Sequence, residues 1–358
     1  MNPKQNKNIG FKFFVVFLIG IILLFSKKEN QEKFIDFIKT SKIISKELKV
    51  AESIPMDIDI KEIGFYDGGI ILWGDNKLRR LRLNGDIEWE KEFNIDEALA
   101  YLGKEEIYIC ERTTGQIYII NPKGETIEKF QLNMEIYNIA ESSGNILIHI
   151  KEGDKEILKI LDKKGDLIGE NLIENENILT YCIDENNKCY ALATLSLKGE
   201  NIKSEIQTYG LEGEFLWTAY LDNEIAMYLN FDDQNNLIIL SDKGIYQIDD
   251  GSILWKKQFQ LIKDIYMDGK NLYVLHGNTL EMISFDGRTI KKDSFTEEYK
   301  KILPFNNYTV LYGKDHITGL KEGKEVFKYK TEDSIVNVIQ GTQKLLVVFK
   351  HRIDIISL

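Results

Sequence analysis

An all-β fold made of a ring of like units is predicted by three observations on this 358-residue sequence. From about residue 46 onward, runs of four to seven Ile, Leu, Val, Tyr and Phe alternate with turns of Gly, Asn and Asp, and no convincing helical period interrupts them. A short pattern recurs, in which a polar residue and a glycine are followed four positions later by an apolar or aromatic residue. Its seven glycines, Gly85, Gly124, Gly165, Gly213, Gly251, Gly287 and Gly323, lie 36 to 48 residues apart. Self-similarity near forty residues, with four strand-like runs per unit, is the signature of a β-propeller. A β-sandwich has turns at short spacing but no such period.

Each part of the repeat has a physical reason. The Asn-Gly and Asp-Gly pairs supply the positive φ angles that a tight hairpin needs. A four-stranded sheet that is apolar on both faces buries them only by packing between two neighbours. The glycine turn joins the third strand of a unit to its fourth. The chain ends on a seven-residue run from Arg352 to Leu358 that reads as a third strand stopping before its turn. The missing fourth strand is found at the other end, where 47–58 matches the stretch 87–97 in apolar spacing. Seven complete turns and one split unit predict eight four-stranded blades over 46–358, closed by pairing of the first and last strands; seven is the alternative count. Closure removes two exposed edges at once.

Ahead of the ring the chain changes character. Residues 1–8 are a short basic tail, and residues 9–26 are apolar apart from Lys12. As a helix that segment spans roughly 27 Å, close to the hydrocarbon thickness of a bilayer. It is followed by Ser26-Lys27-Lys28-Glu29 with no small-x-small cleavage pattern, so an uncleaved transmembrane anchor is expected rather than a signal peptide. Residues 27–45 read as a stalk, with Phe34, Ile38, Ser41 and Ile44 at helical spacing. Lysines flank the span on both sides, so the positive-inside rule nearly cancels. The short tail is expected to stay in the cytoplasm, leaving a single-pass membrane protein with its propeller extracytoplasmic.

Composition narrows the function classes. The net charge is −11 and the pI about 5.1, which excludes a basic nucleic-acid-binding surface as the main feature. Only four histidines and three cysteines are present, too few for a zinc cage or a disulfide framework.

The copies NGDIEW, EGEFLW and DGSILW resemble the T-G-K-x-x-W repeat of quinoprotein-type (PQQ-like) propellers, with Trp89, Trp217 and Trp255 at the tryptophan position and Phe327 replacing it. Glu128, Gly169 and Lys291 depart from it. That superfamily includes alcohol dehydrogenases using pyrroloquinoline quinone and non-enzymatic outer-membrane assembly lipoproteins. One anchor followed by a degenerate Lys/Ile/Asn-rich propeller also resembles uncharacterised membrane-anchored propellers of clostridia-like bacteria. The resemblance implies quinone chemistry only where an adjacent cysteine pair, calcium ligands and an acidic base are present. Cys110, Cys182 and Cys189 include no adjacent pair, so no cofactor is expected.

Other chemistry fares no better. The acidic stretches 184–187 and 232–236 lack the calcium-loop spacing and occupy equivalent first-to-second-strand turns, so hairpin chemistry explains them. His149, His276, His316 and His351 fall in different units without metal-type spacing. Cys182 and Cys189 flank one turn; a two-residue hairpin would set them face to face within disulfide reach, but free cysteines are expected because nothing fixes that register. No catalytic, cofactor-binding or metal-binding residue is therefore assigned. The expectation is a non-catalytic scaffold that binds protein or envelope partners through one face of the ring. A sensor or binding protein for a small molecule or glycan is the alternative, and a quinone-dependent oxidoreductase ranks third. The full-length protein should stay with the membrane fraction through an alkaline wash and keep its N-terminus; a soluble form starting near residue 27 would overturn the anchor.

Overall fold

The computed structural model describes residues 46–196 and 202–357. The expected anchor at 9–26 and stalk at 27–45 lie outside the described residues. Within them the chain forms eight antiparallel sheets, one per blade: 62–92, 98–131, 136–174, 177–222, 226–258, 262–294, 299–330, and last 337–357 together with 50–55. In each sheet the strands lie side by side in chain order, apart from the N-terminal strands 46–47 and 50–55 that join the last two, and along most of the ring the first strands of neighbouring blades lie directly against one another. First strands thus line a central channel and fourth strands form the outer edge. Turns from second to third strand, and the links between blades, make the upper face. First-to-second and third-to-fourth turns make the lower face.

Burial follows this plan. The second strands Gly69–Gly74 and Leu237–Ser241 are buried along their whole length, because a neighbour covers each side. The fourth strands Ile87–Glu92 and Ser252–Gln258 alternate between exposed and half-buried positions, as an edge with one wet face does. The core is divided in the same way: each of its eight apolar clusters joins two adjacent blades, so no blade holds a core of its own.

The repeat glycines explain how the seams close. All seven have positive φ, from 73° at Gly323 to 100° at Gly213. A side chain on the fourth strand of one blade lies over the turn glycine of the next. Trp89 covers Gly124, Phe130 covers Gly165 and Trp255 covers Gly287, so closely that an added Cβ would sit 2.7–2.9 Å from the ring. Trp217 reaches Gly251 more loosely, at 3.7 Å, and Ile54 covers Gly85 at 3.1 Å. The indole N–H groups finish the contact: Trp89 Nε1 donates to Pro122 O at 3.3 Å and Trp255 Nε1 to Phe285 O at 2.8 Å. Where the sequence departs from the repeat, the seam is built otherwise. Glu128 is replaced in this role by Phe130, two residues on. At Gly169 the tryptophan's space is taken by the Leu211 carbonyl of the next turn. Phe327 has no following turn to cover and folds back over Gly319 of its own blade.

The ring closes as a split blade. Val50–Pro55 pairs antiparallel with Arg352–Ser357, placing Ile54 opposite Ile353 and Ser53 opposite Asp354. Ser53 Oγ donates to the buried Asp354 carboxylate at 2.6 Å, and Arg352 Nε holds the same carboxylate at 3.1 Å. The closing strand is shorter than the stretch 47–58 read from the sequence. Its first part serves another sheet: Lys46–Glu47 runs parallel along Lys324–Lys330 at the outer edge of the seventh blade, and Leu48 is buried behind it. Ten residues therefore bridge two blades. Burying Ile54 alone contributes about 2 kcal/mol. Deleting residues 1–56 should lower the thermal midpoint by at least about 5 °C relative to deleting residues 1–45, read by differential scanning calorimetry; equal midpoints would reject closure by this strand.

Candidate functional site at the channel mouths

The polar residues of the interior were followed one at a time to ask which converge. The buried carboxylates do not face a common space; each serves its own seam. Glu156 accepts from the Ile178 amide of the next blade at 2.6 Å, from Lys151 Nζ at 2.7 Å, and lies 3.0 Å from His149 Nε2. Burial works to raise the Glu156 pKa, but these partners outweigh it and hold it low. His149 lies between Tyr137 and Tyr181, and burial pushes its pKa down despite Glu156. Glu281 is paired with Lys257 at 2.5 Å and Lys292 at 2.9 Å, with His276 Nε2 at 3.4 Å. His316 holds Asp315 at 2.8 Å and packs edge-on against Tyr299. His351 is exposed in the last upper turn, where its carbonyl accepts from the Met56 amide. The four histidines thus stay in separate places.

The acidic turns are occupied by their own backbone. Asp184 accepts from the Asn186 and Lys188 amides, and Asp232 from those of Gln234 and Asn236. Asn187 and Asn235 take the left-handed conformation that completes each turn. Because this turn is longer than a two-residue hairpin, Cys182 pairs with Ala191 and Cys189 with Gly210. All three cysteines are free. Burial raises each thiol pKa, that of Cys189 to about 11, which leaves little thiolate at neutral pH.

What the ring does bring together is a collar at the upper mouth of the channel. In five successive blades the first strand carries a bulge one residue after its start. Two residues there oppose one, so the first of each consecutive pair is left without a partner in the sheet while the second stays in register. The pairs are Tyr137-Asn138, Leu179-Thr180, Met227-Tyr228, Lys263-Asp264 and Lys300-Lys301. Aromatic and apolar pairs fill one arc and charged pairs the next. Lys301 Nζ bridges to Asp264 at 3.0 Å and Lys263 Nζ to Glu298 at 3.1 Å. Between the arcs lies a cleft of 550 Å³ lined by Met227, Tyr228, Leu261, Ile262, Lys263 and Lys301. Leu261 stands out. It has φ +55°, and it is the one apolar side chain among the described non-glycine residues in that region. Its side chain is 77% exposed at the cleft. A bulky residue in this conformation is strained, and strain of this kind collects at functional sites.

The lower mouth has a cleft of its own, 530 Å³, with Lys104, Glu105, Glu141 and Lys163 on its walls. Burial raises the Glu141 pKa, while the Lys104 amide donating to it at 3.1 Å opposes the rise. Sequence reasoning missed both mouths. The only advance signal for the upper one was a pair of solvent-compatible residues near the start of each first strand, which no local pattern separates from a frayed strand end.

Ring, split closure and interlocked seams define an eight-bladed β-propeller of the broad type to which the PQQ-like and WD40 propellers belong. The chain belongs to the family described as "Family of unknown function (DUF5711)", which matches residues 41–358. Among solved structures it is similar to BamB from Moraxella catarrhalis, with TM-score 0.59 and 13% identity over 87% of this chain and 100% of that one. It is also similar to Saccharomyces cerevisiae Sqt1, with TM-score 0.62 and 11% identity over 86% and 98%. The C-terminal WD40 domain of Sif2 gives TM-score 0.65 and 10% identity over 88% and 99%. At these identities the likeness is one of fold. No curated protein matches the chain.

Glu281 gives a pH test of the seam chemistry. Burial favours its neutral form, but hydrogen bonds from Lys257, Thr289 and Lys292 prevail and hold its pKa at about 2, below the ordinary 4.5. Because the folded value is depressed, the stabilisation from its charge is complete above about pH 4.5 and is lost as pH falls through about 2. Glu281→Gln should therefore cost about 3 kcal/mol at neutral pH, and its gap from wild type should close across that window in urea unfolding. A gap independent of pH would refute the assignment.

Proposed function

We propose that this protein is a non-catalytic, membrane-anchored propeller that binds a protein partner of the cell envelope through its upper face. The observation that carries the reading is Leu261, a strained and exposed leucine at the edge of a cleft whose far wall is lysine and aspartate. An apolar anchor inside a charged rim is how interface hot spots are built. The interior acids and histidines support a non-catalytic reading, because Glu156 and Glu281 are held by lysines at separate seams and none of the three buried or half-buried thiols lies in an ion pair with them. The anchor supports an extracytoplasmic ring. Lys46–Glu47 and Val50–Pro55 both run toward the upper face, so the described chain enters the ring from below, which supports an upper face turned away from the bilayer. Tethering raises local concentration, which makes modest contacts sufficient.

A second reading, capture of a small molecule or glycan at the same mouth, is favoured by the exposed Tyr137 and Tyr228. Cross-linking on intact cells separates the two. Leu261→Glu, alone or with Lys301→Glu, should reduce the cross-linked partner at least about tenfold. Leu216→Glu, on an equally apolar outer-edge site that is 46% exposed, should leave it unchanged. Single substitutions of His149, His276, His316 or any cysteine should preserve function. If one of them abolishes function with folding and partner binding intact, the protein is an enzyme.

A further inference from the structure

The seams after the first, second, fourth and fifth blades are each closed by an aromatic side chain over the next turn glycine. Between the sixth and seventh blades that place belongs to Lys291, whose ammonium lies against Gly323. Lys291 Nζ donates to the Glu322 carbonyl at 3.0 Å, as the indole of Trp255 does to Phe285 one seam earlier, and pairs with Asp293 at 3.0 Å. A lysine stem reproduces the hydrogen bond but not the width of a ring. Among the described residues this seam also has the smallest core, with six buried side chains where the seams between blades 4 and 5 and between blades 7 and 8 each have thirteen. A cavity of 420 Å³ opens there, walled by Tyr273, Leu280, Met282 and Leu320 and edged by Asp293 and Glu322.

We propose that this cavity is a binding site for a small planar aromatic amine. Its volume falls in the range of small-ligand sites, and its walls are apolar with a few polar groups on one side. The ring of the ligand takes the space that the Trp255 ring fills in the preceding seam. The charge follows from the lining: one lysine against two carboxylates leaves the site with a net negative charge, which favours a cation over an anion. The ligand's ammonium pairs with Asp293 and Glu322 while Lys291 keeps its carbonyl. The site lies on the lower side of the ring, away from the upper mouth, and does not depend on what binds there.

Titration calorimetry on the full-length protein in detergent tests this with three probes of one ring and different charge: tryptamine, indole and indole-3-acetate. Tryptamine should bind, indole about tenfold more weakly, and indole-3-acetate most weakly. Lys291→Trp supplies the missing ring from within; it should abolish tryptamine binding and raise the thermal midpoint. Thr309→Phe narrows the cavity from the facing wall in the seventh blade, away from Lys291, and should weaken all three probes, which keeps the test open if the first variant folds poorly. Asp293→Asn should bring tryptamine to the affinity of indole and leave indole unchanged. The proposal fails if none of the probes binds at millimolar concentration, if indole-3-acetate binds best, or if tryptamine binding survives both cavity-filling substitutions.

Discussion

The structure depends on one contact, repeated around the ring: a fourth-strand side chain lying on the turn glycine of the following blade. A propeller blade cannot bury its own faces, so its stability is that of its seams. The glycine is needed twice over. Its φ near +90° at Gly85, Gly124 and Gly165 suits no residue with a Cβ, and at the tightest seams a Cβ would also meet the ring under 3 Å away. Turn geometry and inter-blade packing therefore make the same demand on one residue, which is why it survives in every complete unit while the aromatic does not. A ring can be exchanged for Ile54, for a backbone carbonyl above Gly169, or for a lysine, at a cost in packing only.

The closing strand extends the same logic to a seam that has no turn. After the seventh blade there is no third-to-fourth hairpin, so Phe327 turns back on Gly319 and Tyr308 packs edge-on to it. The space outside is covered by Lys46–Glu47 and Leu48 before the chain goes on to complete the eighth blade. The same short segment thus caps one sheet edge and fills the missing place in the next. That arrangement ties the start of the described chain to the point where the ring would otherwise open.

Polar groups divide into those that hold seams and those the seams leave over. Glu156 and Ser204 each accept an amide that the bulge at the start of the next blade's first strand would leave unpaired, at Ile178 and Ala226. These are buried and engaged, and burial near such partners accounts for their chemistry without invoking catalysis. The bulge itself has the opposite effect, leaving one residue unpaired near the start of the first strand in five of the blades, at the channel mouth. A device that completes the backbone hydrogen bonding of the ring also creates its most varied surface.

Much of this was legible in the chain. The forty-residue recurrence predicts the propeller, the seven glycine turns and the unfinished last unit predict eight blades closed by an N-terminal strand, and hairpin chemistry accounts for the turns at Asp184 and Asp232; these are local patterns, and local backbone preference decides them. Trp89, Trp217 and Trp255 were also readable as the tryptophans of the repeat, but not as partners of specific glycines in the next unit, because that pairing exists only between blades. The register that separates Cys182 from Cys189, the diversion of Lys46–Glu47 to the seventh blade, the upper cleft beside Leu261 and the cavity beside Lys291 have no local signature. Each is set by how neighbouring sheets approach, a distance that depends on every side chain in the seam and so is decided only when the ring is assembled.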